Sequence, residues 1–266
     1  MTTLKEIVLP RFGEEPARPT MPLDTYRDRL AGAAERMQTA GFQRLVVYGD
    51  REHFANLAYL TGFDPRFEES LLILDPAGRK ALLVGNECMG YLPDPALGCE
   101  PILFQEFSLM GQPRGGSRPL RQILAGIGIG RGAQIGCVGW KYFEGSLLEG
   151  GDQACDLPAY IVDLLRDLTG DARNVRNATA LFMNPEDGLR VTNTADQIAQ
   201  FEHASICTSE GVVHVMRRIQ EGVEELELEH FLDSEGLPLS CHRMVSFGEK
   251  ARRGLASPSA NRARLG

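Results

Sequence analysis

The chain has 266 residues, of which 43% are hydrophobic and 24% are charged. These proportions are ordinary for a globular protein, and the length suffices for one large domain or two of average size. The formal net charge is −8 at pH 7, so no domain-wide basic surface for nucleic acid is expected. We interpret the basic residues between positions 250 and 264 as a solvated loop.

The sequence also carries signals about its cellular setting. The first ten residues, MTTLKEIVLP, lack the long apolar segment of a signal peptide, and no run of about 18 apolar residues predicts a membrane span. The six cysteines are spread out without a CxxC pair, which favours reduced thiols. We therefore expect a cytoplasmic protein with neither a membrane nor a nucleic acid as its partner.

The amino-terminal part begins with a proline-rich segment. Four prolines between positions 10 and 22 predict that residues 1–22 form an extended arm. A helix is then predicted from Asp24, as its N-cap, to Gly41, because apolar residues recur at helical spacing. The apolar run that follows, at 44–50, predicts a strand.

The next elements alternate between strands and helices. Apolar runs at 71–74 and 81–84 flank an Asp-Pro-Ala-Gly turn, which predicts a β-hairpin. Further predicted elements are strands at 101–107 and 133–140 and helices at 120–128 and 157–170. This alternation is typical of an α/β domain. The glycine-rich segment 126–132 follows a predicted helix and precedes a strand, so it reads as a helix-to-strand turn rather than a dinucleotide-binding loop.

The character of the sequence changes near residues 180–190. A long amphipathic helix is predicted at 194–220, followed by a helix at 224–236 and a strand at 239–248. The predicted apolar face of the long helix consists of Ile198, Phe201, Ser205, Thr208, Val212, Val215 and Ile219.

Several polar residues in this region are candidates for a functional site. His203 and His214 are about three helical turns apart, too far to bind one metal ion together. The acidic residues Glu224, Glu225, Glu227 and Glu229 are interpreted as a solvated helix face. Cys241 and His242 are interpreted as a partly buried cysteine beside a structural histidine rather than a catalytic thiolate–imidazole pair.

Three segments of the sequence resemble a known family. YLTGF at 59–63 with the hairpin after it, and YRDRLAGAAERMQTAGFQRLVV before it, are similar to the amino-terminal domain of the creatinase and Xaa-Pro peptidase family. The segment that starts at Leu189 looks like the opening of the family's catalytic domain, known as the pita-bread domain. Arg190 and Ile198 match the family pattern there, whereas Asn193 replaces the usual Lys and Gln197 the usual Glu.

The resemblance implies a fold and a domain organisation. It implies an α/β creatinase/prolidase-type N-terminal domain at 23–183, after the arm at 1–22. Residues 184–266 would then form the first half of an α+β pita-bread domain.

The resemblance also implies a chemistry. Relatives of this type hold two divalent metals, of Mn, Co or Zn type, with two Asp, one His and two Glu, and use them to activate water. Those ligands have no counterparts here, so the chain is expected to be incomplete, to hold no cofactor itself and to be inactive. Ser257 or Ser259 falls near the position of the family's substrate-contacting His, and no catalytic, substrate-binding or metal-binding residue is assigned.

Three functional hypotheses remain open from the sequence. The first is an Xaa-Pro aminopeptidase or prolidase-like metallopeptidase, and the second is a creatinase-like hydrolase that cleaves a C–N bond without metal. The third is a non-enzymatic binding or dimerisation protein on the same fold. The expected assembly is a homodimer, and the substrate of a full-length enzyme would be a peptide or a small amide.

Overall fold

The computed structural model describes residues 6–9, 17–143, 148–234, 236–239 and 241–265. It divides into two compact units, one of residues 22–193 and the other of residues 194–266 with 1–21. Most of the predicted arm at 1–22 lies outside the described residues. Its described end, at 17–22, has no regular secondary structure before the first helix.

The described part of the first unit contains six strands and five α-helices. The strands are β1 (Arg44–Gly49), β2 (Ser70–Leu74), β3 (Lys80–Val84), β4 (Cys99–Leu103), β5 (Ile135–Val138) and β6 (Val175–Asn177). The helices are α1 (Leu23–Thr39), α2 (Ala55–Thr61), α3 (Leu120–Gly126), α4 (Ala159–Thr169) and α5 (Ala180–Met183).

The six strands form one mixed sheet in the order β4-β3-β2-β1-β5-β6. The strand β1 is antiparallel to β2, where Val46 pairs with Ile73, and parallel to β5, where Val46 pairs with Cys137. The hairpin of β2 and β3 is antiparallel, while β3–β4 and β5–β6 are parallel. The predicted hairpin and the α/β class of this domain are therefore confirmed.

Helices cover both faces of the sheet. Along β1, Leu45 and Val47 pack with α1, α2 and α5, whereas Val46 and Tyr48 pack with α3 and α4. This alternation follows from the two-residue period of a strand. A strand that is buried on both faces is expected to be largely apolar, which is the reason that RLVVYG contains no charged residue after its first.

The helix α1 confirms the predicted helix, with one correction at its start. The N-cap residue is Pro22 rather than Asp24, and Asp24 lies in the first turn, where it pairs with Arg27 at 2.7 Å. A carboxylate in the first turn is favoured by the helix dipole. The buried side of the helix includes Leu30, Ala33 and Met37.

Other elements of this unit differ from the predicted bounds. The strand predicted at 101–107 is β4, which begins at Cys99, and residues Gln105–Phe107 instead form a short 3-10 helix. Pro101 lies in β4 because this is an edge strand, where a missing N–H is tolerated. The glycine-rich segment 126–132 connects α3 to β5, as predicted.

Three short elements of this unit, α2, α5 and β6, were not predicted from the sequence, and α5 has only four residues. The helix α2 has seven residues and ends at Gly62, whose φ of 69° is left-handed. The strand β6 has three residues and is defined by its pairing with β5. None of the three is long enough for periodicity to identify it.

The second unit contains the long helix α6 (Ala195–Arg218), as predicted, with Thr194 as its N-cap. Its buried residues are His203, Cys207, Gly211 and Val213, whereas Ile198, Phe201, Val212 and Ile219 of the predicted apolar face are exposed. The predicted face is therefore wrong. Periodicity identifies a helix, but the elements packed against it decide which stripe is buried.

The remaining elements of this unit are shorter than predicted. The helix predicted at 224–236 is α7 (Glu225–Glu229), which is only five residues long. The strand predicted at 239–248 is not formed in its described residues, which have no regular secondary structure before a 3-10 helix at Gly248–Arg253. Within the described chain the second unit has no strand for it to pair with, apart from an isolated bridge between Glu224 and Arg262.

None of the described helices is long and apolar enough to span a lipid bilayer.

The close approach at Gly136 in β5 yields a stability prediction. A Cβ there would lie 2.8 Å from the Ala178 Cβ and 3.0 Å from a methyl carbon of Leu45. We expect Gly136→Ala to lower the free energy of unfolding by about 1–3 kcal/mol, because overpacking forces its neighbours apart. Urea unfolding followed by fluorescence of Trp140, the single tryptophan of the chain, measures the change.

The control for this prediction is Gly126→Ala at the end of α3. Apart from the chain neighbours and the backbone of α3 itself, no described atom lies within 4 Å of the Cβ position at Gly126, so the substitution should stabilise the helix by up to about 1 kcal/mol. Equal effects of the two substitutions would contradict the packing argument.

Candidate functional site

A buried carboxylate organises the second unit at the start of α7. The side chain of Glu225 is 0% exposed. Its Oε1 accepts hydrogen bonds from the Phe247 N–H at 2.8 Å and from the Asn261 side-chain amide at 2.9 Å. Its Oε2 accepts from the Ser259 N–H at 3.0 Å, the Ser259 hydroxyl at 2.8 Å and the Lys250 ammonium at 2.5 Å.

The electrostatics of this cluster follow from its donors. Burial raises the pKa of Glu225, but hydrogen bonds from Lys250, Asn261, Phe247 and Ser259 outweigh burial and leave the pKa lowered to about 2. The carboxylate is therefore ionised at neutral pH. It forms a buried ion pair with Lys250, in which the attraction offsets part of the cost of desolvation.

The chain segment after residue 258 runs alongside the entry to α7. The Ser259 carbonyl accepts from the Leu226 N–H at 3.2 Å, and the Asn261 carbonyl accepts from the Glu225 N–H at 3.1 Å. Ala263 then exchanges backbone hydrogen bonds with Gly222 and Val223. These bonds bring residues that are about 35 positions apart in sequence to the same carboxylate.

Ser259 and Lys250 lie together, but their hydrogen bonds do not suit nucleophilic catalysis. The Lys250 ammonium has three donors, and they are directed to Glu225, the Ser257 carbonyl at 2.5 Å and the Ser259 Oγ at 2.9 Å. The Ser259 hydroxyl donates its single proton to Glu225. A nucleophilic serine needs an adjacent base that is free to accept its proton, whereas the Lys250 nitrogen is engaged with three acceptors and the Ser259 hydroxyl donates to Glu225, so the cluster fixes a loop rather than activating a hydroxyl.

The structure corrects the interpretation of the four acidic residues as one solvated face. Glu227 is exposed, as predicted, but Glu225 is fully buried. Glu224 pairs with Arg262, and Glu229 pairs with Arg243 at 3.2 Å. The sequence held no local signal for this arrangement, because the partners lie 14 to 38 residues downstream.

The histidines of the second unit are not brought together. His203 is buried on α6, with its Nε2 3.8 Å from the Cys207 Sγ, whereas His214 is exposed. Cys241 and His242 do approach each other, with 3.5 Å between the Sγ and Nδ1. Cys241 is exposed, so its prediction as partly buried is wrong.

A second polar group, which was not singled out from the sequence, lies in the first unit. His53 stacks on Trp140 with 4.5 Å between ring centroids, and its Nδ1 lies 3.2 Å from Asp50 Oδ2. Burial raises the pKa of Asp50, but hydrogen bonds from the Glu52 and His53 N–H groups outweigh it and leave the pKa lowered. Asp50 directly follows β1, and Trp140 comes shortly after β5, which is parallel to β1. The group therefore lies at the carboxyl ends of these strands, where α/β proteins often bind ligands.

The two-metal centre implied by the resemblance does not fit the side chains that the structure describes. Among those residues, no three His, Cys, Asp or Glu side chains form a group that could hold a metal ion. Both oxygens of Glu225, the most buried acid of the second unit, are already occupied by hydrogen-bond donors. We therefore derive no step that uses a bound metal.

Comparisons with known proteins place the fold. No family model matches the chain, and no curated protein matches it significantly in sequence. The solved structure of dipeptidase PepE from Mycobacterium ulcerans is similar, with a TM-score of 0.57, 18% identity and coverage of 91% of this chain and 58% of that one.

Two prolidase structures are similar to the chain as well. The prolidase from Pyrococcus furiosus has a TM-score of 0.57 and 14% identity, with 89% of this chain and 61% of that chain covered. The prolidase from Thermococcus sibiricus has a TM-score of 0.55 and 17% identity, with 80% and 49% covered. The chain thus has the fold found in prolidases and dipeptidases, which confirms the resemblance at the level of fold, and it spans about half to three fifths of their length.

The buried charge of Glu225 yields a pH prediction. Its lowered pKa stabilises the fold fully above about pH 4.5, the usual pKa, and this contribution is lost as the pH falls through about 2. We expect Glu225→Gln to destabilise the second unit by about 2–4 kcal/mol at pH 7 and to flatten its pH dependence between 4.5 and 2.

The measurement must report on the second unit alone. The single tryptophan and all six tyrosines lie between positions 26 and 160, so fluorescence follows the first unit and provides an internal control. NMR signals of the Val223 and Leu228 methyl groups, which are buried in the second unit, report on the unfolding of the second unit. The matched control is Glu227→Gln on the same helix, which should change neither the stability of the second unit at pH 7 nor its pH dependence. An unchanged pH profile in Glu225→Gln would contradict the assignment.

Proposed function

We propose that this chain provides the scaffold of a prolidase-type peptidase, an enzyme that cleaves a peptide bond next to proline. The observation that carries the proposal is the fold likeness, which extends over 89–91% of the chain for a dipeptidase and a prolidase. In this proposal residues 23–183 act as a creatinase/prolidase N-terminal domain, and residues 184–266 form the first half of a pita-bread domain.

The proposed division of labour separates scaffold from chemistry. In a peptidase of this kind, two divalent ions of Mn, Co or Zn type would supply the activation of water. The described residues offer no donor set for such ions, and the Ser259 hydroxyl is committed to Glu225. Residues 1–266 by themselves are therefore proposed to bind neither metal nor peptide productively and to be inactive.

A non-enzymatic role on the same fold is the second candidate. The observation that favours it is that the Ser259 hydroxyl and the Lys250 ammonium, near the position that the resemblance relates to substrate contact, are both engaged with Glu225. In this case the chain acts in the cytoplasm as a homodimer or a binding module. A creatinase-like hydrolase, which needs no metal, remains the third.

The proposal is tested by activity and metal content of purified 1–266. We expect no proline release from Ala-Pro and no creatine hydrolysis, with or without added Mn²⁺, Co²⁺ or Zn²⁺, and no stoichiometric metal by mass spectrometry. The Pyrococcus furiosus prolidase is the positive control. If the gene continues past codon 266, metal-dependent proline release by the longer product is the expected complement.

Each other outcome selects a different function. Metal-dependent proline release by 1–266 would contradict the scaffold role, and creatine hydrolysis without metal would favour the creatinase-like alternative. Inactivity of any longer product, together with a concentration-independent dimer in sedimentation, would favour the non-enzymatic role. A monomer at all concentrations would contradict the proposed homodimer.

A further inference from the structure

A cavity of about 390 Å³ lies in the first unit between α1 and the β2–β3 hairpin. Its volume is within the range of about 300–1,000 Å³ that is usual for small-molecule sites. Its walls come from α1, from the hairpin and from the 3-10 turn at Pro95–Leu97. None of its lining residues has a role in the proposed peptidase chemistry.

The floor of the cavity is apolar. Leu30, Leu74 and Leu97 line it with side chains that are otherwise buried in the core. The wall from α1 consists of Ala31 and Ala34, which lie three positions apart and therefore on the same side of the helix. These methyl side chains leave the space that larger residues would fill, and an apolar ligand would gain by displacing water from it.

The rim of the cavity is cationic, but most of its charges are already paired. The Arg27 guanidinium pairs with Asp24 at 2.7 Å, and the Arg79 guanidinium pairs with Glu100 at 2.9 Å. Asp75, the acidic residue of the lining, accepts a hydrogen bond from the Arg79 N–H at 3.0 Å. These contacts engage both arginines, and the lining contains one further cation.

That cation is Lys80, the first residue of β3. Its ammonium donates to the Gly78 carbonyl at 2.9 Å and forms no ion pair with any residue that the structure describes. A lysine ammonium carries three donors, so further donors remain for a ligand. The side chain is half-buried beside the apolar floor, where a charge interacts more strongly than in bulk water.

We propose that this cavity binds a small amphiphilic carboxylate, with its apolar chain on the leucine floor and its carboxylate on Lys80. The alkyl chain of the ligand contributes to binding because its apolar surface is removed from water. The contribution of the carboxylate is a charge-assisted hydrogen bond, which is stronger than a neutral one. The arginines on the rim disfavour a cationic ligand such as an alkylammonium ion.

The test uses octanoate as the probe, with octanol and octylammonium as matched ligands of the same chain length. Titration calorimetry on the 266-residue chain, below the micellar concentration of each probe, should give a Kd for octanoate on the order of 0.1 mM. Octanol should bind about tenfold more weakly, and octylammonium more weakly still. Shifts of the Leu30, Leu74 and Leu97 methyl signals in NMR should locate octanoate in the cavity.

Three variants separate charge, space and nonspecific effects. Lys80→Met keeps the length of the side chain but removes the charge, so octanoate affinity should fall about tenfold while octanol affinity is unchanged. Ala34→Phe should fill the cavity and abolish binding of both. Lys141→Met removes an exposed lysine outside the cavity and should change neither affinity.

The proposal is overturned by any of three results. These are no octanoate binding below the micellar concentration, equal binding of octanoate and octylammonium, or full octanoate affinity in Lys80→Met. Should Ala34→Phe fail to fold, methyl shifts confined to residues outside the cavity would overturn the proposal instead. Because no peptidase assay enters this test, its failure would leave the proposed function untouched.

Discussion

The burial of β1 on both faces is the constraint on which the first unit depends. A strand with no solvent-facing side needs helices above and below it and a paired strand at each edge. Here β2 pairs with one edge of β1 in antiparallel orientation, and β5 pairs with the other edge in parallel orientation. Two separate apolar clusters cover its two faces. The approach is close enough that Gly136 of β5 has no space for a side chain against Leu45.

The second unit depends on a charge instead of an apolar strand. Its described apolar core is small, centred on Val223, Leu228 and Ala263. The carboxylate of Glu225 compensates by binding the segment from Phe247 to Asn261 through five hydrogen bonds. A buried carboxylate with every acceptor site used stabilises a loop conformation, because losing any donor leaves part of the charge unsolvated.

The complete hydrogen bonding of Glu225 also bears on function. The fold is one that prolidases and dipeptidases share, yet a fold hosts many functions, and chemistry has to be argued from side chains. In the second unit the side chains of Glu225, Lys250 and Ser259 are engaged with one another. In the first unit, by contrast, the Lys80 ammonium at the apolar cavity donates to the Gly78 carbonyl and keeps further donors for a ligand.

The sequence by itself determined the elements whose signal is local. The helices α1, α4 and α6, the β2–β3 hairpin and the α/β order follow from periodicity, turn residues and glycine ends, all within a few positions of each other. The tertiary structure alone decided that the exposed stripe of α6 is the one with Ile198 and Phe201, that the described residues between 239 and 248 form no strand, and that Glu225 is buried. Each of these outcomes depends on partners distant in sequence, such as Lys250 and Asn261 for Glu225, and a spacing pattern along one segment holds no information about them.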